Sequence, residues 1–300
     1  MNTVPAARPR RLDAAQSLPL GVSQIYLQDN WMVGALMIVG FAVYSIPMAL
    51  LVVVGTIVAT VSAHFVGKSI EHGLQGYCGA LVGAAAWTTF GELWPAFLVT
   101  FVGAAACPAV TEALAAFFSV ARRQSGPLPV LTAPFCVVSG LVALTARALM
   151  EPAPAAAPIE AGNTALQLLE GTLAGIGQVV FCQSWLSGLI LLGALFLAGW
   201  KTGAAALLGS ALGTVTMWIA GISPAELSAG LAGYNPALTA IALAAVFLRP
   251  GPRAWVIAVL GSVVTVGVCE LLKLTPIPVY TWPFILVTWL CLLIWDGERQ

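Results

Sequence analysis

Three segments of the sequence occur twice in the same order, and this internal duplication constrains the fold more than any other feature. The copies keep their glycines, prolines and single threonines at matching places. The pairs are Gly21–Gly34 with Gly175–Gly188, Gly73–Leu81 with Gly230–Leu238, and Leu128–Phe135 with Ile277–Phe284. Repetition of three segments in one order indicates that the chain consists of two related halves.

The third pair, here called the proline–threonine segments, has one threonine between two prolines. The copies read LPVLTAPF and IPVYTWPF, with Thr132 and Thr281 between the prolines. Two prolines this close cannot both lie inside a regular helix, because each removes an N–H donor and clashes with the preceding turn. Each segment is therefore predicted to interrupt a helix.

The composition places these interruptions in a membrane. The 300 residues are 60% hydrophobic and 8% charged, with a mean hydropathy of +0.96, whereas a soluble domain carries roughly 25% charged residues. We therefore predict an all-α integral membrane protein with several spans. Because lipid offers no partner to a free backbone group, the proline–threonine segments must be enclosed by protein or line a cavity. The net charge of zero offers no basic patch for nucleic acid.

Apolar runs predict five spans in each half, and therefore ten transmembrane helices. Residues 1–16 are predicted to form a cytoplasmic tail, 17–150 the first repeat, 151–163 a linker on the other side of the membrane, and 164–300 the second repeat. The predicted spans are Trp31–Tyr44, Ile46–His64, Cys78–Phe90, Pro95–Val120 and Phe135–Met150, then Ser184–Trp200, Thr202–Ile219, Asn235–Leu248, Trp255–Leu272 and Ile285–Trp295.

An odd number of spans makes the two repeats run in opposite directions through the bilayer. With both termini in the cytoplasm, nine basic residues fall inside and three fall outside. The nine are Arg8, Arg10, Arg11, Arg122, Arg123, Lys201, Arg249, Arg253 and Arg299, and the three are Lys68, Arg147 and Lys273. This excess follows the positive-inside rule. Two inverted five-span repeats are therefore predicted, with a solute site at their interface near the middle of the membrane.

Paired uncharged residues in the repeated segments are the candidates for that site. They are Thr132 and Thr281, Gln24 and Gln178, Tyr77 and Tyr234, and Leu81 and Leu238. Acceptor oxygens between flat apolar walls suit a small, flat, neutral molecule rich in N–H donors. Packing roles stay open, since threonine can bond to its own helix, glutamine can join helices and tyrosine can anchor at the membrane interface.

Catalysis, a metal site and ion coupling are not predicted. The six cysteines and two histidines show no ligand spacing, and no cofactor motif or nucleophile–base set is present. The acidic residues lie mostly near predicted span ends and show no matching positions in the two halves; they include Glu71, Glu92, Glu112, Glu226 and Glu270. Without a paired acidic relay in the membrane, proton or sodium coupling is not expected.

At these motifs the sequence resembles the urea transporter family. The family signature L-P-x-x-T-x-P-F is intact at Leu128–Phe135, and the second copy begins with Ile277 in place of leucine. The family motif G-L-x-G-Y/F-N-x-x-L is complete at Gly230–Leu238, whereas Cys78 replaces the asparagine in the first copy. The resemblance extends from about Ser17 to Trp295.

This resemblance implies two inverted five-span repeats with re-entrant half-length pore helices, assembled as a homotrimer in the lipid bilayer. Urea would pass down its gradient through a pore in each subunit, without a cofactor, and a bacterial source would place the protein in the inner membrane. The implied site residues are Gln24, Tyr77 and Leu81 at one outer site, Gln178, Tyr234 and Leu238 at the other, Ile25, Leu27, Val179 and Phe181 as further slot walls, and Thr132 and Thr281 at a central constriction. Some bacterial relatives carry glutamate at one of the two positions that are glutamine here.

Three other functions stay open at this point. A channel of the same kind could carry ammonia, water or a short amide instead of urea. An ion-coupled transporter of a small neutral solute would move it against a gradient. A membrane sensor with an occluded pocket would bind the solute without any flux.

Overall fold

A computed structural model describes residues 14–68, 71–121, 127–150, 163–223 and 227–299. Most of the predicted tail and linker lies outside these ranges, as do Arg122, Arg123 and Glu226. Within the described ranges the regular structure is helical, apart from one isolated β-bridge between Leu248 and Arg299. This confirms the all-α prediction for that part of the chain.

Twelve α-helices are described, six in each half. They are α1 (Ala14–Ser23), α2 (Trp31–Tyr44), α3 (Ile46–Phe65), α4 (Tyr77–Phe90), α5 (Leu93–Ala121), α6 (Ala133–Leu149), α7 (Thr164–Gln178), α8 (Trp185–Ala198), α9 (Trp200–Ile219), α10 (Tyr234–Ile241), α11 (Pro252–Lys273) and α12 (Trp282–Ile294). Short 3₁₀ turns cover Gln24–Tyr26, Glu71–Gly73 and Asp296–Glu298, and α10 continues as a π-helix over Ala242–Phe247.

Helices at corresponding places in the two halves have matching neighbours. In the first half α3, α4 and α5 pack against one another, and in the second half α9, α10 and α11 do the same. The pairs α1–α2 and α7–α8 are also in contact. The two halves meet where α2 packs against α8, and the buried Tyr26 hydroxyl donates to the Ile176 carbonyl across this boundary.

Glycines let the first two helices of each half approach closely. A Cβ atom on Gly34 of α2 would lie 1.7 Å from the Pro19 carbonyl oxygen of α1. A Cβ on Gly188 of α8 would lie 1.8 Å from the Leu173 carbonyl oxygen of α7. Small residues allow this kind of backbone contact between membrane helices. The same glycine contact occurs at the equivalent place in both halves.

Four helices are long and apolar enough to cross a bilayer on their own, namely α3, α5, α9 and α11. The pair formed by α1 with its 3₁₀ turn and α2 passes the same test together, with a bend of 79°. The remaining apolar helices α6, α8, α10 with its π-helical extension, and α12 are shorter than the roughly 20 residues that a full span needs. Ten spans therefore stay a prediction, and many of the helices are short.

The outer surfaces of the long helices are apolar, as expected for contact with lipid. Exposed positions include Phe101 and Val102 on α5 and Val256 and Leu260 on α11. A soluble protein rarely exposes apolar patches this extensive. Buried threonines on these helices satisfy their hydroxyls locally; Thr56, for example, donates to the Val52 carbonyl one turn earlier.

Candidate functional site

Thr132 and Thr281 meet in the interior of the protein. Their hydroxyl oxygens are 2.7 Å apart although the residues are separated by 149 positions in the sequence. Both side chains are buried, at 2% and 3% exposure. The duplicated motif therefore brings its two threonines into direct contact, with one contributed by each half.

Local geometry explains why these hydroxyls can pair. Each threonine directly precedes a helix, α6 or α12, that has proline in its first turn. Proline suits this position because its missing N–H would have no partner there. Neither threonine caps its helix with its side chain, so both hydroxyls are available for each other.

The residue before each threonine has a left-handed backbone conformation. Leu131 has φ 53° and Tyr280 has φ 37°, values that are uncommon for residues other than glycine. The Tyr77 hydroxyl donates to the Leu131 carbonyl, and the Tyr234 hydroxyl donates to the Tyr280 carbonyl over 2.9 Å. A tyrosine from the start of α4 or α10 thus holds the strained turn beside each threonine.

Tyr77 and Tyr234 therefore have a positioning contact that the sequence did not predict. The slot-wall role concerns their ring faces and stays a prediction. Leu81 and Leu238 lie one turn further along α4 and α10, and both are fully buried. Residues four apart lie on the same face of a helix, so each leucine is stacked above its tyrosine along the helix.

Gln24 directly follows α1 and Gln178 ends α7, which is the equivalent helix, but their side chains differ in their hydrogen-bond partners. Gln24 Nε2 donates to the His72 carbonyl over 2.8 Å. Gln178 Oε1 is buried and has no hydrogen-bond partner among the described residues. A buried acceptor without a partner is unfavourable unless a ligand or water satisfies it. The contact of Gln178 with a solute stays a prediction.

Each glutamine is followed three residues later by a left-handed residue. Leu27 has φ 60° and Phe181 has φ 64°, and both amides bond back to the glutamine carbonyl. The intervening Ile25 and Val179 are buried at 1% and 2% exposure. Bulky residues held in rare backbone conformations cluster at functional sites, and four of the five such residues among those described form two symmetry-related pairs at the predicted site.

Three aromatic rings form a cluster, and two of them belong to the proline–threonine segments. The ring centroids of Phe135, Phe181 and Tyr280 are 5.1 to 6.0 Å apart. The equivalent positions in the other half are Phe284, Leu27 and Leu131, so the equivalent group is mainly aliphatic. The resemblance implied Phe181 as a slot wall, and that role stays a prediction. Phe135 and Tyr280 were not among the candidate residues, although the tyrosine in IPVYTWPF is visible beside the leucine in LPVLTAPF.

Cys136 is a further contact of the threonine pair that the sequence did not predict. Its Sγ lies 3.1 Å from the Thr281 hydroxyl oxygen, and its counterpart in the second half is Ile285. No charged side chain is among the hydrogen-bond partners of Thr132 or Thr281. Within the described ranges, no group of three or more His, Cys, Asp or Glu residues is placed to hold a metal ion.

The expectation that the glutamates have no matching positions is wrong for one pair. Gly103 of α5 lies against Val82, and Gly261 of α11 lies against the equivalent Thr239. These contacts align Gly103 with Gly261. Glu112 and Glu270 then occupy equivalent positions, because each lies nine residues after its glycine. Each forms an ion pair with a lysine of its own half; the partners are Lys68 and Lys273.

Asn235 anchors the second proline–threonine segment, whereas the first segment has a cysteine at this place. Asn235 Nδ2 donates to the Tyr280 carbonyl over 2.9 Å, and its Oδ1 accepts from the Phe284 amide over 3.3 Å. In the first half Cys78 lies against the backbone of Phe135. A thiol is a weaker donor and acceptor than an amide, so the second segment is held more firmly than the first.

We expect Asn235→Cys to destabilise the protein by about 1–3 kcal/mol, because it leaves the buried Phe284 amide without its partner. The Tyr280 carbonyl also loses one of its two donors and keeps the Tyr234 hydroxyl. The thermal unfolding midpoint in detergent would fall measurably. Cys78→Ala is the matched control, since it removes the weaker group at the equivalent position, and we expect a smaller shift. Equal shifts for the two variants would show that the asparagine bridge is unimportant.

The sequence is similar to a known protein family over nearly its whole length. The family model described as urea transporter matches residues 15–296. Urea transporter 1 of the sheep, Ovis aries, is 30% identical over 312 residues, which cover 96% of this chain and 78% of that protein. Urea transporter 1 of the rat, Rattus norvegicus, is 31% identical over 299 residues, with 91% and 75% covered. These are transporters and not enzymes, and the chain belongs to the urea transporter family.

Proposed function

We propose that the protein is a passive, channel-like pore that lets urea cross a membrane down its gradient. The observation that carries this proposal is the buried contact between Thr132 and Thr281, one from each half. Each hydroxyl has one donor and two acceptor positions. The contact uses one donor and one acceptor, so acceptor positions remain for the N–H groups of a solute passing beside the pair.

The neighbouring groups fit a neutral amide. Gln178 Oε1 is an acceptor without a partner in the described structure, and the aromatic cluster of Phe135, Phe181 and Tyr280 supplies flat apolar faces. Polar groups of urea lose water on entering such a site, and acceptor oxygens along the path offset that cost in small steps. A charged solute would find no counter-charge at the threonine pair.

Ion coupling is disfavoured by the placement of the acidic residues. Glu112 pairs with Lys68 and Glu270 pairs with Lys273, in side chains that are partly exposed. Their charges are compensated within their own halves. Coupled transporters use ionisable groups placed along the solute pathway, and the described partners of Thr132 and Thr281 are uncharged.

The two halves are proposed to be inverted five-span repeats with re-entrant half-length pore helices. The matching order of six helices in each half supports the repeat. Three basic residues that were assigned to the cytoplasmic side also lie close together: Arg253 pairs with Glu298, the Arg249 amide bonds to the Glu298 carbonyl, and Arg299 donates to the Pro127 carbonyl. This grouping supports placing these three residues on the same side of the membrane.

A homotrimer in the inner membrane of a bacterium completes the proposal, and it rests on the family resemblance alone. Each subunit would contain its own pore, because Thr132 and Thr281 meet within one chain. The mass of the purified protein in detergent, corrected for bound detergent, tests the trimer.

Labelled urea uptake into proteoliposomes tests the passive mechanism. We expect the internal concentration to level off at the external concentration, with or without a protonophore. Accumulation above the external level that a protonophore abolishes would indicate a coupled transporter. Stronger competition by ammonia or a short amide than by unlabelled urea would assign the pore to that solute instead.

A further inference from the structure

Two buried hydroxyls outside the predicted site have no hydrogen-bond partner among the described residues. They belong to Ser139 of α6 and Thr288 of α12, which are 3% and 0% exposed. Other buried hydroxyls on the helices bond to a carbonyl one turn earlier, as in Thr100 and Thr265, or to a carbonyl of another helix, as in Ser262. A hydroxyl removed from water without a replacement partner is unfavourable, so these two positions need an explanation.

The two residues occupy the same position in the two halves. Ser139 follows Thr132 by seven residues, and Thr288 follows Thr281 by seven residues. Seven residues make almost two full turns of an α-helix, about 10 Å along its axis. Each unpartnered hydroxyl therefore lies on the same helix face as the threonine of the central pair, two turns further from it.

At this depth each helix also contacts the proline–threonine segment of the opposite half. The Tyr280 hydroxyl donates to the Ser139 carbonyl over 3.4 Å. Trp289, the neighbour of Thr288, donates from its indole to the Pro129 carbonyl over 2.8 Å. Ser139, through its backbone, and the residue next to Thr288 thus contact the opposite half, so both hydroxyl-bearing residues lie near the interface between the halves, where the solute path is proposed.

Space is available beside the residue that follows Ser139. Gly140 follows Ser139 and is buried, yet a Cβ atom added to it would meet no atom within 4 Å. The equivalent residue in the second half is the much larger Trp289. An unfilled region one residue from an unpartnered buried hydroxyl is suited to a small polar molecule.

We propose that Ser139 and Thr288 are two further solute-contacting residues, one along each arm of the path leading from the central threonine pair. Their hydroxyl oxygens accept hydrogen bonds from the N–H groups of a small neutral amide before and after it passes Thr132 and Thr281. This assignment rests on the proposed urea pore. It extends the series of acceptors beyond the glutamines and central threonines, at a spacing of about two helical turns.

The test is urea permeability of proteoliposomes containing Ser139→Ala, Thr288→Val or both. Each substitution keeps the backbone contacts and removes one hydroxyl. We expect each single variant to lower urea permeability about fivefold, the factor that corresponds to one typical hydrogen bond, and the double variant to lower it further. Ser139→Thr and Thr288→Ser keep the hydroxyl and are expected to retain most of the flux.

Thr145→Val is the matched control on α6, because its hydroxyl already bonds to the Leu141 carbonyl and lies on the exposed side. It should leave urea permeability unchanged. Osmotic water permeability is measured in parallel. Unchanged urea flux in the double variant overturns the proposal, as does a fall in water permeability alone, which would assign the hydroxyls to water. Equal losses in Thr288→Ser and Thr288→Val would indicate packing. Absence of urea flux in the unmodified protein would instead refute the proposed function.

Discussion

Valine at both central positions, T132V with T281V, is expected to reduce urea permeability about 30-fold, the effect of losing two hydrogen bonds of about 1 kcal/mol each in the barrier. Valine keeps the shape of threonine but cannot accept an N–H donor. The two substitutions are made together because replacing both partners leaves no hydroxyl without its counterpart across the 2.7 Å contact. The fold should therefore be retained, which the elution profile in detergent checks. Urea permeability is measured by stopped-flow light scattering on proteoliposomes.

Two controls separate loss of the hydroxyls from a general defect. T132S with T281S keeps both hydroxyls and should retain most of the permeability. Thr56→Val removes a buried hydroxyl that bonds within α3, and we expect little change in flux. If the double valine variant conducts urea as well as the unmodified protein, the threonine pair is not part of the urea path.

Alanine at Gly34 or Gly188 is expected to have the largest effect on stability. The new Cβ atom would lie 1.7 Å or 1.8 Å from a carbonyl oxygen of the neighbouring helix, and a backbone atom cannot rotate away as a side chain can. Overpacking of this kind costs about 3 kcal/mol or more. We expect either variant to unfold at a clearly lower temperature in detergent, or to be lost during purification.

Gly193→Ala is the matched control for Gly188→Ala, since both glycines belong to α8. A Cβ at Gly193 would meet no atom within 4 Å. Alanine is favoured over glycine inside a helix by up to about 1 kcal/mol, so this variant should be as stable as the unmodified protein or slightly more stable. A similar loss of stability in Gly193→Ala and Gly188→Ala would show that close helix contact is not the cause.

The sequence predicted the central pair because its physical basis is local. Two prolines around one threonine interrupt a helix wherever they occur, and duplication of that motif predicted that Thr132 and Thr281 belong together. In the folded protein the two threonines are in direct contact. Helix boundaries such as Trp31–Tyr44 were also predictable, because Asn30 caps the start of α2 and Ser45 ends it.

Other parts of the site depend on contacts between distant segments, which no local pattern encodes. The hydroxyl bonds of Tyr77 and Tyr234 to the turns before the threonines are of this kind, and so is the approach of Cys136 to Thr281. Left-handed backbone at Leu27 and Leu131 could not be predicted either, since leucine rarely adopts it. These conformations result from the surrounding packing.

The alignment of two long apolar helices from the two halves cannot be determined from the sequence alone. Almost any alignment of α5 with α11 matches one apolar residue with another, so the correspondence of Glu112 with Glu270 became visible only from the contacts of Gly103 and Gly261. For the same reason the number of spans is hard to count from hydropathy, because an apolar run of 13 to 17 residues fits either a buried half-length helix or a short span.

The most direct measurement of the central claim is urea efflux from proteoliposomes by stopped-flow light scattering, with and without an opposing pH gradient. A passive pore predicts rapid efflux that follows the urea gradient and is the same in both conditions, since the described hydrogen-bond partners of the threonine pair are uncharged. Efflux no faster than from empty liposomes, with the protein shown to be folded, would contradict the account. So would an efflux rate that follows the pH gradient.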